Sequence, residues 1–232
     1  FYFIKCSVQT VKLRKISISI LILKRGLSNM EKRKFLILGH PRSGTGFMSI
    51  LLQRYGYRVG HEWMMEDGIS SWMLVVEDNQ IFIDRTLNRK NFDFEYIIMN
   101  IRHPLDIVSS TYFTENTVKR SLNHRAKFVD MEGLNDVEQA VKSVLGWYRL
   151  IEMQRPHLII HVDRNPEEKM FYFLKRFENY DRLSEPKPKL KKKINTRKHD
   201  KLTFSFLKEN CRPELIEEFE DFCKLYGYKL KD

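Results

Sequence analysis

Eight residues near the start of the chain, Gly39-His-Pro-Arg-Ser-Gly-Thr-Gly46, combine the side-chain types that grip an anion. The glycines let the backbone aim its N–H groups inward, Arg42 brings a fixed positive charge, and Ser43 and Thr45 bring hydroxyls. The spacing Gly39-x-x-x-x-Gly44 matches the start of a Walker A phosphate loop, but Thr45 stands where its lysine belongs. The positive charge therefore sits inside the loop, on Arg42. Such a loop works only between a buried strand and a helix, where the helix dipole adds to the N–H groups. The flanks supply both: Lys34–Gly39 is a continuous apolar run ending in glycine, and Phe47–Tyr55 has apolar residues at helical spacing.

The same strand, loop, helix order recurs at Tyr96–Ile101, Arg102-His-Pro104 and the helical stretch through Ile107 and Val108. Arg102, at the strand end, offers a bidentate fork for phosphate, and Ser110, two helical turns on, adds a hydroxyl. Further along, Val137–Met153 reads as a helix, His157–Val162 as a third core strand, and Pro166 opens a helix running to about Phe177. A short Tyr57–Gly60 strand and a helix over Ser71–Val76 fill the gap after the first unit. Two helices near Lys201–Glu209 and Pro213–Tyr226 close the chain, after a lysine- and proline-rich loop, Glu185–Lys193, that is too polar for core. Strands alternating with helices make an α/β protein with a central parallel sheet in three α/β/α layers, whose ligands bind at the strand carboxyl ends.

Two segments in this order resemble a known family. Pro41-Arg-Ser-Gly-Thr45 and the following Gly46 resemble the 5′-phosphosulfate loop of sulfotransferases that use 3′-phosphoadenosine 5′-phosphosulfate (PAPS), and Arg102 to Ser110 resembles their 3′-phosphate segment. Ile194–His199 is similar to a closing segment of bacterial members, which would make Arg197 and Lys198 cofactor ligands. The resemblance implies a P-loop NTPase-like fold and transfer of a sulfuryl group to a hydroxyl or amine acceptor, with no metal needed. It implies that Glu62 is the general base, with His61 as its rival, and that Arg42 stabilises the leaving phosphate. A small P-loop kinase or an inactive nucleotide-binding module are the alternatives. The first is weakened by the absent Walker lysine and by a second strand that ends without a magnesium-binding Asp.

Composition narrows the partners. Hydrophobic residues at 42%, 12% of all residues being aromatic, suffice for one substantial core. The formal charge is +11, yet residues 1–29 hold six Lys/Arg and no acid, and the rest carries 35 basic against 30 acidic residues. That surplus suits an enzyme with an anionic ligand better than a nucleic-acid coat. Residues 1–29 are expected to be a basic extension outside a single domain over 30–232. Their apolar run, Ile16–Leu23, falls far short of the ~20 residues that span a bilayer, so no stable membrane insertion is expected. Three cysteines without ligand spacing point to a reducing, cytoplasmic setting and no metal site. The acceptor, a small molecule or a glycan, has no motif; residues 66–95 and 113–135 are the stretches left to shape its pocket. Trp72, beside Ile69, Met73 and Leu74, reads as core before it reads as an adenine or acceptor contact.

Overall fold

The computed structural model describes residues 30–78, 87–177 and 199–230. The basic extension, the lysine- and proline-rich loop, Arg197 and Lys198 lie outside the described residues.

Five parallel strands form one sheet in the order β2-β3-β1-β4-β5. They are β1 (Glu31–Leu38), β2 (Val59–His61), β3 (Gly68–Ser71), β4 (Phe92–Ile101) and β5 (Leu158–His161). Alternate residues of β1 and β4 pack on opposite faces, as the two-residue strand period requires. Phe35, Ile37 and Ile98 join Met48, Leu51 and Leu52 of α1 (Thr45–Arg54) and Met170, Phe173 and Leu174 of α5 (Pro166–Phe177). Leu36, Leu38, Met99 and Ile101 face the larger core. There, α2 (Pro104–Ser110), α4 (Asp136–Glu152), α6 (Phe204–Asn210) and α7 (Pro213–Leu225) bury residues such as Ile107, Val144, Trp147, Leu207 and Phe219. Helices cover both faces, so the architecture is the three-layer α/β/α one. An Asn135–Glu138 capping box starts α4, and Arg212 donates to Glu138 from Nε at 2.8 Å, tying the start of α7 to it.

Three local readings of the sequence are corrected. The strand expected at Tyr57–Gly60 lies at Val59–His61, and the helix expected over Ser71–Val76 is one 3₁₀ turn, Met73–Val75. Between them runs β3, which was not expected because Gly68-Ile-Ser-Ser has one apolar side chain. All four residues are nonetheless buried beside β1, and the serines enter the core because their hydroxyls bond: Ser70 donates to the Thr45 carbonyl at 2.7 Å. The short helix α3 (Lys119–Ala126) was also missed; six of its eight residues are polar or charged and give no amphipathic stripe.

Gly68 has φ 141°, and a Cβ placed there would lie 1.9 Å from the Phe35 carbonyl oxygen on the neighbouring strand. Backbone cannot yield as a side-chain tip can. Gly68→Ala is expected to cost about 3 kcal/mol or more, read as a lowered urea midpoint, by forcing β3 off β1.

β1 leads to β2 on one side of the sheet and β4 leads to β5 on the other. The crevice where the order reverses therefore lies between the carboxyl ends of β1 and β4, the place where open α/β sheets bind ligands.

Candidate functional site

The loop from Gly39 to Gly44 leaves β1 at this crevice and enters α1 without a side-chain cap. Gly44 takes the capping position in a left-handed conformation, φ 107°, which glycine reaches without a steric penalty. Pro41 and Ser43 are buried, Ser43 N–H donates to the His40 carbonyl at 3.0 Å, and Gly46 lies in the first turn of α1. From β4, Asn100 Nδ2 donates to both the carbonyl (3.0 Å) and the hydroxyl (2.9 Å) of Ser43. The loop is thus fixed by the strand that carries the second motif.

His40 fastens the start of the loop. It is fully buried, one ring nitrogen lies 2.7 Å from the Pro41 carbonyl and the other 2.9 Å from the Ser143 hydroxyl, and Arg125 Nη1 donates to that same hydroxyl. A consistent proton assignment makes His40 neutral: Nδ1–H donates to Pro41, and Nε2 accepts from Ser143. Burial, then the nearby Arg125, hold its pKa well below the ordinary histidine value.

Arg42 is one of four non-glycine residues with positive φ among the described residues, at 72°, and Glu62 is another, at 64°. Both were singled out by sequence. Strain of this kind persists where the surroundings dictate side-chain direction, and it gathers at functional positions. The Arg42 side chain is largely buried; its Nε donates to the Ser110 hydroxyl at 3.2 Å and lies 3.9 Å from Glu115 Oε1. So the fold joins the first motif directly to the second. Ser110 closes α2, and the chain continues in a π-helical turn, Thr111–Glu115, that brings Glu115 round to face Arg42.

Arg102 stands at the end of β4, with Nη2 donating to the Asp106 carbonyl at 2.8 Å. Its Nε is buried with no hydrogen-bond partner among the described residues. Burial also lowers its pKa, although a guanidinium keeps its charge at any ordinary pH. A buried charged donor of this sort is costly unless something accepts from it. A phosphate beside Ser110 would.

His61 ends β2 and Glu62 follows it, on the other flank of the loop. His61 Nε2 lies 3.2 Å from the Thr45 hydroxyl and 3.5 Å from Glu62 Oε1. Glu62 accepts from the Ser71 hydroxyl at 2.5 Å and from the Trp72 backbone N–H, and its carboxyl is pushed up to about 8, chiefly by burial. The two hydrogen bonds oppose that rise, and the charge of Glu115 adds to it. Burial lowers the pKa of His61, so it is neutral near pH 7. The two candidate bases are therefore neighbours, and both touch groups of the Gly39–Gly46 loop or of the strands beside it.

Trp72 packs in the larger core, its indole 5.8 Å from that of Trp147. Of the closing segment, His199 is the first described residue; its ring stacks on Phe113 at 5.6 Å, and Leu202 N–H donates to Ser109 at 3.0 Å. The described chain thus resumes alongside α2, where Leu202 meets Ser109.

Sequence reasoning missed Asn100, Ser143, Arg125 and Glu115. Asn100 is a single polar residue inside an apolar strand and Ser143 lies on the buried face of a helix, and a polar residue at a core position was the available signal. Arg125 and Glu115 belong to the stretch 113–135, whose polar composition resembles a solvated surface. No family model, curated protein or solved structure matches the chain, so its geometry and the order of its motifs are what support a function.

Proposed function

We propose that the protein is a PAPS-dependent sulfotransferase acting on a hydroxyl or amine of a small molecule or glycan. The observation that carries this reading is the hydrogen bond between Arg42 and Ser110, which draws two anion-gripping sets together at adjacent strand ends. A nucleotide with phosphates at both its 3′ and 5′ positions needs two such sets.

In this reading Arg102 and Ser110 hold the 3′-phosphate. The N–H groups of Gly44, Thr45 and Gly46, with Arg42, hold the 5′ end. The donor supplies an activated sulfuryl group: the acceptor oxygen forms a bond to sulfur while the bond from sulfur to the 5′-phosphate oxygen breaks. Arg42 and the start of α1 stabilise the charge that grows on that leaving oxygen. Glu62, once ionised, takes the acceptor proton, and His61 steadies both the carboxylate and Thr45. Arg197 and Lys198 would close over the nucleotide.

No helix among the described residues is long and apolar enough to cross a membrane. A cytoplasmic setting, inferred from the cysteines, and the absence of a nucleic-acid partner, inferred from the modest charge beyond residue 29, go with the proposal.

A thermal melt with the product nucleotide, 3′-phosphoadenosine 5′-phosphate, beside one with ATP and magnesium tests the assignment. At about 100 times its dissociation constant the bisphosphate adds about 2.7 kcal/mol, raising the melting temperature by about 5–10 °C. Stabilisation by ATP alone would replace the sulfotransferase with a kinase.

A further inference from the structure

Glu115 places a carboxylate inside a site built for anions. Its Oε1 lies 3.9 Å from Arg42 Nε, a distance at which the pair attracts without a hydrogen bond. Its Oε2 accepts from the Ser121 hydroxyl at 3.1 Å, so the carboxylate is anchored from α3. The next residue, Asn116, accepts from Arg125 Nη2 at 3.1 Å, and the fully buried Arg125 feels the charge of Glu115. Among the described residues, the charged or titratable groups around Glu115 are Arg42 from the Gly39–Gly46 loop, Arg125 from α3 and Glu62 from the turn after β2. The π-helical turn gives the carboxylate this position, and its Asn116 N–H closes the turn on the Thr111 carbonyl at 2.9 Å.

We propose that Glu115 is a release residue: a counter-anion that competes with the 5′-phosphate for Arg42 and so weakens retention of the bisphosphate product. This rests on the sulfotransferase reading. The chemistry gives the competition a direction. A terminal 5′-phosphate carries close to two charges at neutral pH, gathered on one group. In the phosphosulfate donor the same phosphate is a diester-like anhydride with one charge, and the second charge is on the sulfuryl end. A fixed carboxylate beside Arg42 therefore penalises product more than donor, which favours departure after transfer.

The test is binding of two probes, 3′-phosphoadenosine 5′-phosphate and adenosine 3′-monophosphate, to the full chain and to Glu115→Gln. Glutamine keeps an acceptor for Ser121 and removes the charge. The variant is expected to bind the bisphosphate about tenfold more tightly, with the 3′-monophosphate changed by less than about twofold, because the added repulsion acts only at the 5′ end. Weaker or unchanged bisphosphate binding would overturn the proposal; a merely structural role for Glu115 would weaken both ligands. If Glu115→Gln fails to fold with Arg125 left buried, Glu115→Asp keeps the countercharge and withdraws it from Arg42. That variant is expected to tighten the bisphosphate by a smaller factor, and unchanged affinity there overturns the proposal equally. A wild-type chain that binds neither probe would sink the sulfotransferase reading itself, whereas one that prefers the bisphosphate while both variants keep its affinity would sink only the role of Glu115.

Discussion

Replacing Glu62 with glutamine is expected to remove a contribution to stability that is present at low pH and fades between about pH 5 and 8. A carboxyl that keeps its proton to about pH 8 when folded, against an ordinary 4.5, binds that proton more tightly in the native state. Between those values the folded chain is protonated at Glu62 and the unfolded chain is not, so the contribution of Glu62 to stability falls as pH rises. Each pH unit in the window is worth about 1.36 kcal/mol, and the whole window on the order of 5 kcal/mol. Below about pH 4.5 the contribution is fully present; above about pH 8 it is gone. In urea melts across this range the stability difference between wild type and Glu62→Gln should shrink steadily as pH rises; His40 and His61, whose lowered pKa values pull the other way, act on both proteins alike and cancel in that difference. Burial is the principal cause, so the hydrogen bonds from Ser71 and Trp72, which the glutamine oxygen can also accept, should survive the substitution. The same titration governs turnover. About one Glu62 in ten is ionised at pH 7, so kcat/KM should climb until about pH 8 and then level off. Glu62→Gln should lose transfer while keeping bisphosphate binding. If it stays active with a limb below pH 6.5, the base is His61.

Arg42→Gly should separate stability from function. Arg42 holds φ 72°, where a non-glycine residue costs about 1–2 kcal/mol that glycine does not. Removing its side chain forfeits the bond to Ser110 and the longer contact with Glu115, each partly buried. These terms are of similar size, so the melting temperature of the unliganded protein is expected to stay level or rise. Affinity for the bisphosphate should fall about 10–100-fold, the worth of one or two charged hydrogen bonds. A large drop in melting temperature would show that Arg42 is a packing residue and that its backbone strain has no functional origin.

The sequence displayed the strand, loop, helix units because buried parallel strands leave continuous apolar runs, as at Lys34–Leu38 and Tyr96–Ile101. It hid β3, because Gly68-Ile-Ser-Ser achieves burial through hydroxyl bonds and a close backbone approach that no hydropathy pattern records. Arg42, Ser110, His61 and Glu62 were legible as residue types at motif spacing. Their meeting was not, since Ser110 is 68 residues from Arg42 and only the neighbouring of β1 and β4 makes them partners. Glu115 was least accessible of all. Its direction depends on one extra residue in a helical turn, and a normal α-helical turn would aim position 115 elsewhere.

Calorimetric titration of the protein with 3′-phosphoadenosine 5′-phosphate, repeated on Arg102→Ala, tests the central claim most directly. Arg102 carries a buried Nε that has no partner among the described residues, and it lies at the strand end expected to take the 3′-phosphate. Saturable 1:1 binding that weakens about 10–100-fold in Arg102→Ala, with the unliganded fold intact, is the result the account predicts. Binding that is absent in wild type, or unchanged in the variant, would contradict it.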